Sequence, residues 1–229
     1  MKARLPLIIA SIFLVISISV FFYVRASDNF DKSQSNSNKI QSEVVNEVGN
    51  VQEKLAEIQE LDIVYGVNEA PIKIIEYASY GCSHCASFYN NVYPNLLSKY
   101  VDNKKVQLIL RDFPLDEPSL RASQLVHCMP GAEKKNMIKA LFESQKNWAY
   151  SKSFPEKLEN LAKISGMSGG VFHECIKNSA LEEKILKSRV QAYDAFKINS
   201  TPSLIINGQK YIGDFSWNGL AAYLENILK

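Results

Sequence analysis

Cys82-Ser83-His84-Cys85 stands between a β-prone run, Ile72, Ile74, Ile75 and Tyr77, and an apolar pattern near helical spacing, Phe88, Val92, Leu96 and Leu97. A C-x-x-C pair at a strand-to-helix junction reads as a redox pair. A second β-prone run, Val106 to Leu110, follows, so the order is strand, helix, strand, with the parallel pairing that such a crossover implies. Pro94 falls inside the helical stretch Cys82 to Tyr100 and is expected to bend it.

The position also dictates reactivity. A sulfur at the start of a helix meets the positive end of the helix dipole and free amide groups, both of which favour thiolate over thiol. Cys82 is therefore the expected nucleophile, with His84 in the same turn offering a donor or a positive charge. Cys85, one turn along, is expected to be more buried and to act second. Because forming the disulfide forfeits the stabilisation of the thiolate, such a pair is an oxidant.

After Arg111 the strands give way to helical patterning at Leu120 to Cys128, Lys135 to Gln145, Glu156 to Ile164 and Leu181 to Phe196. Ser153 with Glu156 and Ser179 with Glu182 have capping-box spacing. Gly166, Gly169 and Gly170 read as a break between helices. Strand character returns at Ser203 to Ile206 and Gln209 to Ile212, joined by Asn207-Gly208, a strong hairpin signal. A last helix, capped by Ser216, presents Leu220, Tyr223, Leu224, Ile227 and Leu228 on one face.

The N-terminus carries Lys2 and Arg4 ahead of an uncharged apolar run, Leu5 to Val24. This engages an export machinery, either as a cleaved signal or as a retained membrane anchor: signals have apolar cores of roughly 7 to 15 residues, and about 20 span a bilayer. Residues 1–26 are assigned to that segment and 27–60 to a flexible linker, rich in Ser and Asn, with a short helix suggested by Val51, Leu55 and Ile58. The formal charge of +2 owes Lys2, Arg4 and Arg25 to this segment, which leaves the remainder near neutrality and implies no nucleic-acid surface.

The runs Ile74-Ile75-Glu76-Tyr77-Ala78-Ser79-Tyr80-Gly81-Cys82-Ser83-His84-Cys85, Arg111-Asp112-Phe113-Pro114-Leu115 and Thr201-Pro202-Ser203 resemble the DsbA family of thioredoxin-fold disulfide oxidoreductases. The resemblance covers residues 61–229 in motif order. It implies an α/β, thioredoxin-like fold with an inserted helical domain at about 114–196. It implies Cys82 as exposed nucleophile, Cys85 as resolving thiol, and Pro202 as a cis-proline whose neighbour Thr201 pairs its backbone with a substrate strand. Glu76 matches a buried acid able to accept the proton of Cys85 or to hold a water that does; the alternative is a partly exposed, ion-paired strand-end acid. The expected function is disulfide donation to unfolded exported polypeptides in the periplasm, with reoxidation by a membrane partner of DsbB type and no metal or organic cofactor. Ser83 stands where the best-known members have proline, and Thr201 resembles the isomerases and reductases. A reductase or isomerase of the same fold, or a metal-carrying assembly factor, are the alternatives.

Cys128 and Cys175 lie in the helical insertion of a chain expected in an oxidising compartment, where a structural disulfide is the simplest reading. Two separate buried thiols are the alternative. The three histidines lie near cysteines, but their spacings match no zinc pattern, so His127 and His173 read as ordinary surface or helix-end residues. Trp148 and Trp217 receive no role.

Overall fold

The computed structural model describes residues 41, 45–47 and 49–229. The expected signal or anchor, and most of the expected linker, lie outside the described residues, among which no helix is long and apolar enough to cross a membrane. The chain divides into two units, Met1–Asn50 and Val51–Lys229. The described residues of the first are helical and exposed.

The second unit is built on a five-stranded sheet in the order β1-β3-β2-β4-β5. Its strands are β1 (Ile63–Tyr65), β2 (Ile72–Ala78), β3 (Val106–Asp112), β4 (Ser203–Ile206) and β5 (Gln209–Lys210). β2 and β3 are parallel; β1 against β3, β4 against β2 and β5 against β4 are antiparallel. The central strands read as nearly continuous apolar runs because both their faces are covered. Ile72, Ile74, Leu108, Leu110, Leu204 and Ile206 enter one core. The alternate residues Ile75, Tyr77, Ile109 and Ile205 enter another, closed by Leu55, Ala192, Ala195 and Phe196.

Helical residues 51–56 (α1) belong to this unit, so the fold begins about ten residues before the expected Leu61. The crossover between β2 and β3 contains α2 (Ser83–Asn91), α3 (Tyr93–Leu96) and a π-helical turn, Leu97–Val101. Pro94 does more than bend the axis. The helix breaks at Val92, and Pro94 sits in the first turn of α3, where its missing N–H leaves no intrahelical bond unmade.

Between β3 and β4 lies the helical insertion: α4 (Glu117–Cys128), α5 (Glu133–Glu143), α6 (Gln145–Trp148), α7 (Phe154–Ile164), α8 (Gly169–Ile176) and α9 (Ser179–Phe196). Several local expectations are corrected here. β1 was not read from Ile63-Val64-Tyr65, and β3 continues to Asp112. Gly169 and Gly170 do not mark a break; they open α8, capped by Ser168, because burial of Phe172 and Cys175 outweighs their helix cost. Neither capping box forms as expected. Ser153 has φ −96° and ψ 33°, outside the extended region in which a capping hydroxyl reaches the next turn. The cap of α9 is Asn178, whose side chain accepts from the Leu181 N–H, while Glu182 turns to Arg121 at 2.6 Å. The hairpin forms at Asn207-Gly208, both at positive φ, but β5 stops at Lys210. Ser216 caps α10 (Trp217–Ile227), which buries Leu220 and Leu224, whereas Ile227 is exposed.

Candidate active site

β2 delivers the chain through Ser79, Tyr80 and Gly81 to Cys82, the N-cap of α2. Gly81 is needed for space: a Cβ there would lie 2.5 Å from Ser119 Oγ, which accepts from the Gly81 N–H at 3.0 Å. Ser119 in turn receives a hydrogen bond from Ser79 Oγ at 2.9 Å and donates to Asp116, the cap of α4. The insertion also holds the other side of this turn. Gln145 Nε2 donates to the carbonyls of Tyr80 (2.6 Å) and Cys82 (2.8 Å), and the Tyr150 hydroxyl to that of Gly81 (3.1 Å).

Cys82 and Cys85 are free thiols with opposite surroundings. The pKa of Cys82 is lowered to about 5. The largest cause is a hydrogen bond from the Cys85 side chain; the Thr201 side chain and the backbone amides of Cys85 and His84 add to it, against the cost of partial burial. As a thiol, Cys82 donates to the Thr201 carbonyl at 3.2 Å. The Thr201 hydroxyl, buried without another partner, is the donor available once the proton has left. Cys85 is 0% exposed, and burial pushes its thiol well above the ordinary range. His84 differs from expectation: it acts through its amide, while its side chain is exposed.

Glu76 shares the sheet face of Ile72, Ile74 and Ala78 and is 1% exposed. It is not an exposed, ion-paired acid. Its Oε2 accepts a 2.6 Å hydrogen bond from the Tyr93 hydroxyl. Burial raises its pKa to about 8, the Tyr93 bond opposing and the charge of Cys82 adding to the rise. Thr201-Pro202 is cis. Beside it opens a groove of about 620 Å³ lined by His84, Phe88, Val92, Pro202, Phe215 and Trp217, with Ser87, Asn91, Ser200 and Ser216 also on its wall. Its walls are aromatic and aliphatic, with hydroxyl, amide and imidazole groups among them.

Several contributors were not read from the sequence, among them Tyr93, Ser119, Gln145, Tyr150 and Phe215, and Trp217 had received no role. Trp217, directly after the capping Ser216, lines the groove, whereas Trp148 is core. Cys128 and Cys175 form a disulfide between the end of α4 and α8, with Cα atoms 6.1 Å apart. His127 is not at the surface; its side chain is 2% exposed and pairs with Asp112, which also accepts from Ser123 at 2.8 Å. His173 is exposed beside Glu159. Among the described residues no three His, Cys, Asp or Glu side chains gather as a metal site.

A family model described as thioredoxin matches residues 59–226. A Rickettsia felis protein bearing the name protein-disulfide oxidoreductase is 24% identical over 173 residues, covering 75% of this chain but only 62% of that protein. The crystal structure of Wolbachia pipientis alpha-DsbA1 superposes with a TM-score of 0.70 at 31% identity, covering 76% of this chain and 94% of that one. Bacillus subtilis BdbD, at 19% identity and a TM-score of 0.63, shares the fold over 74% of this chain and 94% of its own.

Proposed function

This chain belongs to the thioredoxin family, and on that premise we propose that it is an exported thiol-disulfide oxidoreductase of DsbA type, which donates its Cys82-Cys85 disulfide to polypeptides with free thiols. One observation carries the reading: Cys82 stands partly buried at the N-cap of α2, where the Cys85 and Thr201 side chains and the amides of Cys85 and His84 favour its thiolate, while Cys85 is 0% exposed, which favours its thiol. That asymmetry directs attack to Cys82 and makes the reduced form the comfortable one.

A substrate thiolate attacks Cys82 Sγ, forming a substrate-Cys82 bond and breaking the Cys82-Cys85 bond, whose electron pair goes to Cys85. A buried Cys85 thiolate is unfavourable, so it takes a proton from Glu76, which is protonated at neutral pH. A second substrate thiolate then attacks the substrate sulfur and expels Cys82 as its stabilised thiolate. The substrate leaves oxidised by two electrons, and the pair is reduced by two. The Thr201 backbone and the adjoining groove suit an extended segment with apolar side chains, as unfolded polypeptides present. Residues 5–24 would direct export to the periplasm or tether the chain there, and a membrane oxidant of DsbB type would restore the disulfide.

The test is the equilibrium of the purified pair against glutathione, read by thiol alkylation. A potential well above the roughly −270 mV of thioredoxin is expected; a value at or below it would make the chain a reductase and overturn the oxidase reading.

A further inference from the structure

Tyr93 lies outside the cysteine motif, yet it supplies the hydrogen bond that Glu76 accepts. It opens α3, directly after the break at Val92, and is buried as completely as the carboxylate it contacts. Its ring is fixed on three sides: edge-on to Tyr65 and Phe88, each at 5.9 Å, and against Tyr89 at 4.7 Å. The titratable groups that bear on Glu76 are Cys82 at the N-cap of α2, Cys85 and Tyr89 from α2, Tyr65 from β1, Tyr80 from the turn after β2, and Tyr93 itself. None is a cation. Among the described residues a carboxylate formed in that setting has no ion-pair partner, the Lys135 ammonium lying over the Tyr65 ring at 4.3 Å from its centroid, and the Tyr93 hydroxyl is the group that hydrogen-bonds it.

We propose that Tyr93 is a positioning residue for proton transfer at Cys85: its hydroxyl holds Oε2 of Glu76 and stabilises the carboxylate left when the proton has gone. The inference rests on the reading of Glu76 as the proton donor of the exchange reaction. As the disulfide opens, the electron pair of the broken S–S bond settles on Cys85, the proton passes from the Glu76 carboxyl to that sulfur, and the new carboxylate keeps its hydrogen bond from Tyr93. Glu76 regains a proton from solvent before the next cycle.

The experiment is single-turnover reduction of the oxidised protein by glutathione from pH 6 to 10. Each rate is divided by that of Glu76→Gln, which cancels the ionisation of glutathione itself. The wild-type ratio is expected to fall on an alkaline limb where Glu76 loses its proton. Tyr93→Phe, which removes one oxygen and keeps the ring, moves that limb up by about one to two pH units, the worth of a hydrogen bond to a buried charge. Placing 3-fluorotyrosine at position 93 keeps the fold, makes a stronger donor and moves the limb down. Tyr65→Phe, in the same aromatic cage but without a bond to Glu76, leaves it in place. A limb that stays put in both position-93 variants overturns the role of Tyr93 and spares that of Glu76. A wild-type ratio without any limb overturns Glu76 as the donor, and the inference with it.

Discussion

At Cys82, the N-cap of α2, and at Glu76, within the preceding strand β2, the surroundings act with opposite sign on two acids. Donors converge on the Cys82 sulfur and favour its anion, whereas burial dominates at Glu76 and favours its neutral form. At pH 7 only the part of the Cys82 shift below neutrality counts, roughly two units, or at most about 60 mV in favour of the oxidising disulfide before solvent screening trims it. Titration of the reduced protein by thiolate absorbance should give a midpoint near 5. An ordinary thiol midpoint would remove the driving force for the proposed donation. The consequence for stability follows from linkage. The folded pKa of Cys82 lies below its reference of 9.0, so the stabilisation is complete above that pH and is lost as the pH falls through about 5. The stability difference between reduced protein and Cys82→Ser should accordingly be flat below that lower value and grow up to the higher one. Glu76 runs the other way: its pKa is raised from 4.5 to about 8, so its burial costs nothing at pH 4 and progressively more as the pH rises through that window. Denaturant unfolding of Glu76→Gln should match wild type at pH 4 and exceed it by about 3 kcal/mol at pH 7. An equal midpoint at both pH values would mean that the carboxyl is solvated.

Elements are held in register by side chains that cross between them, and Arg111 on β3 is the clearest case. Its guanidinium makes paired contacts with Asp62, at 2.7 and 2.6 Å, and donates to the carbonyls of Leu55 and Glu57 and to the Tyr77 hydroxyl. α1 and the approach to β1 are thereby tied to the sheet, which is why residues 51–60, expected to be linker, are part of the fold. Both partners are nearly unexposed, so removing one leaves a charge without compensation. Asp62→Ala should cost about 3 to 5 kcal/mol in denaturant unfolding, with little dependence on salt; a loss under 1 kcal/mol would place the pair in solvent-like surroundings. The central strands were legible because their apolar runs answer to burial on both faces, and Asn207-Gly208 because its backbone shape admits few residues. β1 was missed because three residues make too short a pattern, and α8 because its glycines spoke locally against a helix that Phe172 and the disulfide secure from a distance. Two capping boxes failed for a related reason: Ser153 stands at the N-cap of α7 without a side-chain bond, and the cap of α9 falls one residue before Ser179. Ser153 and Ser179 had the right neighbours in the sequence, but backbone angles set by packing decide whether a side chain caps.

Across the whole second unit, the parts of the site that were readable are those written as contiguous motifs: Cys82, Cys85, Glu76 on the strand leading to them, and Thr201-Pro202. Tyr93 and Gln145 were not, since their significance arises only when a broken helix turns one toward β2 and the insertion folds the other onto the carbonyls of Tyr80 and Cys82. The insertion therefore does more than cover the sheet. Its α4 supports the active-site turn through Ser119, its α6 grips the same turn through Gln145, and its cohesion bears on both. The Cys128-Cys175 disulfide is the covalent part of that cohesion, closing a separation of 47 residues from the end of α4 to α8. A cross-link of this length removes many conformations from the unfolded chain, a stabilisation of about 4 kcal/mol in the chain-entropy account and typically 2 to 5 by measurement. Cys128→Ala combined with Cys175→Ala, which leaves Cys82 and Cys85 in place, should lower the unfolding free energy of the oxidised protein by about 2 to 5 kcal/mol. The loss should be smaller in single-cysteine variants carrying the partner as a buried thiol than in a variant that introduces charge there, because a lone cysteine packs as a small apolar group. A double variant as stable as wild type would mean that packing of Phe172 and its neighbours holds α8 against α4 without the covalent link.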